Sequence, residues 1–512
     1  MTYAGPAASA GRSDDPVPSR TDPTVWRASR LVGGAWGRYA TAGSWWTPLR
    51  VLLVLTSFTL LLAYGEKAPC ANGNWTANKQ YTHACYSDVI PLWGAERLDV
   101  GAVPYRDNGV EYPVLTGAFM WATATLTRAV HALFDTQGDA ILFAMLTCML
   151  LAVCGLLTVA GTAGAAGRRP YDAAIFALSP LLIFHAFSNW DLLAMALASL
   201  ALWAWAREKP IAAGVLIGLG TAAKLYPIFL LVAVVVLAIR TARYRPAAWC
   251  VLAAAATWGA VNVPIAAGYY GGWRSFYAFS ATRDAEASTF WYITHYLITT
   301  GIGNGYAPGW SPPGFAVAAV LLVALTGVAT LGLMAPFRPR LAQLAFLAVV
   351  AFLFTTKVWS PQYSVWLVPL VALARPRWRI TLLWQFSEIV VWVVTLFWLL
   401  GFNDSAHATD YGWLMLVLLV RDGFLAAIAG LVIYEMWHPQ ADVVRASGLD
   451  DPGGGVYDGA PDVWQSRRVQ YRAMHGAPNV DVADGWSEPT WTESAEAGRA
   501  PSEEDQQTKS VD

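Results

Sequence analysis

Apolar runs of roughly 17 to 25 residues, with some shorter, follow one another along this chain, and that length matches the hydrocarbon thickness of a bilayer. They fall at residues 48–65, 140–162, 171–187, 189–206, 211–223, 226–239, 247–269, 313–334, 341–355, 363–374, 380–400 and 413–434. Backbone placed in hydrocarbon must satisfy its own N–H and C=O groups, so each run reads as a helix. The expected fold is therefore an all-α polytopic membrane protein with about twelve transmembrane helices. Composition agrees, with 56% hydrophobic residues, 13% charged residues and a mean hydropathy of +0.41. A net charge of −1 gives no reason to expect a nucleic-acid partner; the placement of the charges matters more.

Arg168, Arg207, Arg240, Arg338 and Arg375 all lie in connections on the side opposite the long acidic loops. By the positive-inside rule those connections, and both termini, are cytoplasmic in a multi-pass plasma-membrane protein. The sorting requires that residues 113–134, interrupted by Arg128 and His131, form an amphipathic helix at the interface rather than a crossing. Were they a crossing, everything after them would invert. Residues 66–134 then form a large first external loop carrying Asp88, Glu96, Asp99, Asp107 and Glu111. Residues 1–47 and 436–512 read as disordered cytoplasmic segments flanking a membrane domain at 48–435. The first apolar run follows a long polar start and is expected to stay as an anchor rather than act as a signal peptide.

Cys70 and Cys85 sit in the external loop at a spacing that allows a disulfide, with two unpaired thiols as the alternative. Cys148, Cys154 and Cys250 lie in apolar helices. Among the ionisable groups, Lys224 stands between two short apolar runs just before Pro227, and Lys357 stands before Pro361, each at an outer helix end. Lysines there commonly snorkel, but two of them beside Tyr and Pro on one side also suit a phosphate. Asp191 opens a helix on the outer side, where N-capping is the structural alternative to a functional role. Glu388 and Arg421 lie deep in apolar helices and are expected to pair with each other, or Arg421 with Asp422 or backbone carbonyls, as internal glue. Asp88, under a partly apolar lid, can serve as a general base.

Taken together, Asp88, "WGAERLDVGAVPY" from Trp93 to Tyr105, "EYP" from Glu111, "NWD" ending at Asp191, "KLYP" from Lys224 and "KVWSPQY" from Lys357 to Tyr363 resemble a known pattern. It is that of the GT-C membrane glycosyltransferases, and within them glycosyltransferase family 87, which holds actinobacterial polyprenyl-phosphate-mannose-dependent α-mannosyltransferases. The resemblance covers about residues 48–434. It implies a GT-C-like bundle that transfers a sugar, mannose by preference, from a polyprenyl-phosphate donor to a glycolipid or cell-envelope glycan acceptor at the extracytoplasmic face, with inversion.

In that reading Asp88 matches the family's general base. Lys224, Lys357 and Arg283 are the candidates for the leaving phosphate. Asp191, Glu111, Tyr105, Gln362 and Tyr363 are candidates for holding sugar or acceptor, with Trp93 or Trp359 stacking on a sugar face. No ligand cluster for a metal is evident, although a divalent cation is used by some GT-C enzymes. No Gly-rich phosphate loop or soluble α/β domain is present to take a nucleotide sugar. The rival reading is a transporter or lipid flippase, suggested by broken helices near Lys224 and the buried Glu388 and Arg421, though most polar groups gather at the outer face rather than the midplane. A non-catalytic assembly scaffold is a third.

Overall fold

The computed structural model describes residues 45–71, 76–134, 139–300 and 309–465, together with Leu31. The chain divides into two units, Met1–Ser466 and Arg467–Asp512, and every described residue belongs to the first. Helices of six or more residues are numbered α1 (Pro48–Ala71), α2 (Val89–Ala95), α3 (Val114–Phe134), α4 (Asp139–Ala165), α5 (Pro180–His185), α6 (Asp191–Ala206), α7 (Pro210–Ala223), α8 (Leu230–Thr241), α9 (Tyr244–Gly268), α10 (Tyr270–Thr282), α11 (Phe290–Thr300), α12 (Gly314–Met334), α13 (Leu341–Thr355), α14 (Leu367–Ala374), α15 (Trp378–Leu400) and α16 (Tyr411–Trp437). No strand occurs among the described residues, only an isolated bridge between Pro104 and Asn108.

The all-helical polytopic expectation is borne out. Six helices are long and apolar enough to cross a membrane: Pro48–Cys70, Asp139–Ala165, Tyr244–Gly268, Gly314–Met334, Trp378–Leu400 and Tyr411–Trp437. Five shorter apolar helices, Asp191–Ala206, Pro210–Ala223, Tyr226–Thr241, Leu341–Thr355 and Pro361–Ala374, are packed among them. The run at 171–187 is not one helix. It breaks into pieces at Pro170–Ala173, Ala174–Ala177 and α5, because Pro180 lacks an N–H and cannot continue the preceding turn. Ser179 caps the restart, accepting from the Leu182 N–H, and its own hydroxyl donates to Gln385 at 2.6 Å.

Small residues let the bundle close. A Cβ on Gly214 would lie 2.2 Å from the Cys250 carbonyl oxygen and one on Gly218 2.5 Å from that of Ala254, so α7 seats its Gly-x-x-x-Gly face directly on the α9 backbone. This contact fixes the level at which α7 ends, and α7 ends at Lys224.

α3 carries its buried residues Val114, Thr116, Gly117, Met120, Thr123, Ala124 and Thr127 on one face, the three-to-four spacing of a one-sided helix. Thr116 donates to the Ala223 carbonyl at 2.7 Å, holding the end of α7. Arg128 donates to the Leu98 carbonyl at 2.8 Å, holding the loop that carries Asp88.

The boundary drawn at residue 435 moves. Residues 439–465 pack tightly against the ends of the helices instead of trailing away, with Asp442, Asp451 and Tyr457 buried. Arg340, buried at the start of α13, donates to both carboxylate oxygens of Asp442 at 2.6 and 3.0 Å and to the Leu373 and Ala374 carbonyls. Arg240 pairs with Asp462 and Arg338 with Asp450. Trp205 donates to the Gly454 carbonyl at 2.9 Å, and Tyr457 to that of Val234 at 3.0 Å. The acidic residues that gave this stretch a disordered composition are the counter-charges of buried arginines. Residues 1–30 and 466–512 lie outside the described residues.

Candidate active site

The loop after α1 is held by several independent ties before it presents any chemistry. Cys70 and Cys85 are disulfide-bonded, closing the loop 15 residues apart. The Lys67 ammonium donates to the Tyr86 carbonyl at 2.9 Å, the Phe184 carbonyl at 3.0 Å and the Ser188 hydroxyl at 3.2 Å. The Asp88 N–H donates to the Ser188 carbonyl at 2.8 Å. Further on, Glu96 accepts from Asn108 at 3.1 Å and from the Glu111 N–H at 3.2 Å, closing the turn between them. Burial pushes the Glu96 carboxyl up to about 7, against the bond from Glu111.

These ties bring Asp88, at the mouth of α2, against the turn between α5 and α6. Asp88 lies in an αR backbone conformation and makes no cap hydrogen bond to α2, so its carboxylate is available to the site. Asn189 donates to Asp88 Oδ2 at 3.2 Å and to the Tyr112 hydroxyl at 3.1 Å, and Tyr112 in turn donates to Asp88 Oδ2 at 3.4 Å. Tyr86 hydrogen-bonds the same carboxyl. Burial holds the Asp88 carboxyl above its ordinary range, with Tyr86 and the Lys224 charge pulling the other way.

Lys224 lies next to them. α7 stops because Lys224 adopts an extended conformation and Pro227 follows. Its ammonium is 3.1 Å from Asp191 Oδ1 and 3.4 Å from Asn189 Oδ1. It also lies between two aromatic faces, 4.9 Å from the Tyr112 ring centroid and 5.1 Å from that of Tyr363. Tyr363 is stacked on Trp366 at 4.2 Å, which is stacked on Tyr226 at 4.6 Å. Asp191 is the first residue of α6 but makes no cap bond; Trp190 is the cap residue, and the Asp191 carboxylate faces Lys224. A buried carboxylate and a buried ammonium so placed need each other.

The remaining residues sort by distance from this pair. Arg283 ends α10 and pairs with Glu286 at 3.4 Å, while its charge is felt by Glu111, Tyr112 and Tyr363. Glu286 also accepts from Ser360 at 2.8 Å. Glu111 is exposed, with its charge coupled to Asp88, Arg283 and Lys224. Lys357 is different. Its three ammonium protons go to the Ala281 carbonyl at 2.9 Å, the Arg283 carbonyl at 2.6 Å and the Ser311 hydroxyl at 2.9 Å, so it is tied into the loop around Arg283.

Tyr105 is a pillar rather than a wall of the site. Its hydroxyl donates to the Tyr112 and Pro113 carbonyls at 2.9 Å, and α10 crosses over it so closely that a Cβ on Gly272 would lie 1.9 Å from the Tyr105 carbonyl oxygen. Gln362 is buried in the turn that leads to Tyr363. Trp93 packs on Phe143 at 4.8 Å, and Trp359 lies in the interior beneath the Arg421 guanidinium at 3.7 Å. Arg421 has Glu388 at 3.8 Å, Asp422 at 2.7 Å and the Ser288 carbonyl at 3.1 Å, which makes it a buried tie between α15, α16 and the loop at 288. Among the described residues, no group of three or more His, Cys, Asp or Glu side chains could hold a metal ion.

Tyr112, Asn189 and Glu286 are the residues that motif reading passed over as chemistry. Tyr112 was in view as the centre of "EYP" and Asn189 as the first letter of "NWD", but their role depends on Asp88 being folded against them.

Residues 112–361 match the model of glycosyltransferase family 87. Over that stretch the chain is similar to glycosyltransferase family 87. The matched residues include Tyr112, Asn189, Asp191, Lys224, Arg283 and Lys357, while Asp88 and Glu111 precede them. With its membrane-length apolar helices, the chain is a membrane glycosyltransferase. No curated protein matches this glycosyltransferase significantly. Among solved structures, it is similar to ArnT from Cupriavidus metallidurans bound to undecaprenyl phosphate, with a TM-score of 0.36 and 15% identity over 78% of each chain.

Proposed function

We propose that this glycosyltransferase moves a sugar, mannose by preference, from a polyprenyl-phosphate donor to a glycolipid or cell-envelope glycan acceptor. The reaction takes place at the extracytoplasmic face of the plasma membrane, with both termini in the cytoplasm. The observation that carries this reading is the juxtaposition of a carboxylate, Asp88, with a buried ammonium, Lys224, joined through the single amide of Asn189. A transferase of a lipid-phosphate sugar needs this pair of functions side by side: a base for the incoming hydroxyl and a cation for the outgoing phosphate.

The acceptor O–H gives its proton to Asp88 as its oxygen bonds to the anomeric carbon. The anomeric C–O bond to phosphate breaks, and its electron pair leaves with polyprenyl phosphate. One displacement turns a β-linked donor into an α-linked product. Lys224 and Arg283 supply positive charge where the phosphate leaves. Lys357 contributes by holding the Arg283 loop, because its own protons are already engaged. Asp191 sets the position of Lys224, and Glu111 and Tyr363 line the approach.

The test is transfer of label from a β-linked polyprenyl-phosphate mannose to a lipid extract by the full chain in nanodiscs. The expected result is transfer that disappears in Asp88→Asn while the fold is kept. Unchanged transfer in that variant removes Asp88 from the mechanism. Absence of transfer from both mannosyl and arabinosyl donors turns the reading toward movement of an envelope precursor without chemistry.

A further inference from the structure

Asn189 occupies a position that nothing in the reaction chemistry demands of an asparagine. It is buried in the turn between α5 and α6, and its one carboxamide reaches three side chains from three different parts of the chain. Nδ2 donates to Asp88 Oδ2 at 3.2 Å and to the Tyr112 hydroxyl at 3.1 Å; Oδ1 accepts from the Lys224 ammonium at 3.4 Å. Chemistry fixes the amide this way round. Turned over, its carbonyl would face a carboxylate and its NH2 would face an ammonium, losing both bonds. Tyr112 closes the ring, accepting from Asn189 while donating to the oxygen Asn189 already holds.

We propose that Asn189 is a positioning residue: its amide fixes the rotation of the Asp88 carboxylate and the distance from it to the Lys224 ammonium, so that base and phosphate cation act on one substrate. The inference rests on the reading of Asp88 and Lys224 given above. Two donors on Oδ2 remove the freedom of the carboxylate to turn about its Cβ–Cγ bond. Its carbonyl oxygen gives the Lys224 ammonium a second acceptor beside Asp191, and the two together set its distance from Asp88, with Asp191 still holding it when the amide is lost. No charge is spent doing this, as an amide is neutral at every working pH.

The experiment reads Asp88 directly. Dicyclohexylcarbodiimide modifies protonated carboxyls, and the pH midpoint of its labelling at Asp88 is followed by peptide mass in the full chain in detergent. The charges that reach Asp88 are those of Lys224, Lys67 and Asp191, with Glu111 and Glu286 further round. Tyr86 and Tyr112 are the neighbouring hydroxyls. All of these stay in place in the variants at position 189.

Asn189→Leu loses the donor, and the midpoint is expected to rise by about one unit. Asn189→Asp loses the donor and adds a like charge, so it should rise further. Tyr112→Phe removes only the weaker donor and should rise least. A purely space-filling role would not produce that order, and the conservative Asp and Phe variants carry the test if the Leu variant does not fold. In parallel, kcat for mannosyl transfer in Asn189→Leu is expected to fall about 100-fold, the effect of a misplaced reacting group. Midpoints unchanged in all three variants, or no labelling of Asp88 at any pH, would overturn the assignment. An unmodified chain that transfers no label but shows the ordered midpoints leaves the positioning role standing and sinks the donor reading instead.

Discussion

Replacing Lys224 by Met separates what the ammonium does for the fold from what it does for the reaction. Met keeps most of the volume and the apolar stem. It removes a charge 3.1 Å from Asp191 and the cation between the Tyr112 and Tyr363 rings. Asp191 is 2% exposed, so the carboxylate left behind has no access to water in place of its partner. Leaving one member of a buried pair alone typically costs about 3–5 kcal/mol. Loss of two ring contacts adds about 1 kcal/mol or more at a desolvated site. The expected destabilisation is therefore about 4–6 kcal/mol.

The companion change Asp191→Asn removes the orphaned charge. The double variant Lys224→Met/Asp191→Asn should regain most of the loss, since a buried ion pair exchanged for neutral groups of similar size is often close to neutral. Unfolding of the full chain by SDS titration in mixed micelles, followed by tryptophan fluorescence, measures both. Transfer of label should be lost in both variants, because Arg283 alone is left to meet the leaving phosphate. A single variant within about 1 kcal/mol of the unmodified chain would refute the pairing argument. A double variant that transfers label would refute the role of Lys224 at the phosphate.

Other perturbations read other parts of the argument. Label transfer should fall as pH drops through the Asp88 value, which burial raises above the ordinary 3.8, because the base must be ionised; a rate flat down through 3.8 would contradict this. The Glu96 carboxyl is raised from 4.5 to about 7 in the fold, so the folded state binds the extra proton. Its stabilisation is present below pH 4.5 and is lost as pH rises toward 7, by at most about 2–3 kcal/mol. Glu96→Gln should remove that pH dependence from a thermal scan. Opening the Cys70–Cys85 bridge by Cys85→Ser should expose the loop before Asp88 to limited proteolysis, as a loop of this size is held by about 3 kcal/mol. Asp442→Ala leaves Arg340 buried without its counter-charge and should destabilise by about 3–5 kcal/mol, measured by the same SDS titration.

Membrane class and the helical fold were readable because they depend on local pattern. A run of apolar residues is its own signal, and lysines at broken helix ends such as Lys224 stand out against a poor background of charge. Apart from Glu388 with Arg421, the pairing of distant polar groups could not be read. Nothing in sequence joins Asn189 to Asp88, 101 residues apart, or Lys224 to Asn189, 35 residues apart. Lys224 and Lys357 share the same local surroundings, yet one ammonium faces a buried carboxylate and the other is used up by loop carbonyls. The C-terminal stretch misled for the opposite reason. Its composition of Asp, Gly and Pro is that of a disordered tail, but composition carries no information about buried arginines waiting elsewhere for counter-charges.

Those arginine pairs bear on the active site through α6. Its first residue, Asp191, is part of the Lys224 cluster, and Trp205 near its last turn is bonded to Gly454 of the C-terminal segment. Between them lies a helix of 16 residues, about 24 Å of rigid rod. α7 runs back alongside it, seated on α9 by Gly214 and Gly218, and delivers Lys224 to the same end. A lone lysine at a helix end would snorkel toward water; one held by Asp191 and Asn189 at the end of two clamped helices has no such freedom. The proposed base thus lies just beyond the disulfide-closed loop and the proposed cation at a helix end, while the far end of α6 is tied to a C-terminal segment that buried charge pairs hold in place. Severing the far pairs should therefore lower stability first, and lower transfer only to the extent that α6 shifts along its axis and carries Asp191 away from Lys224.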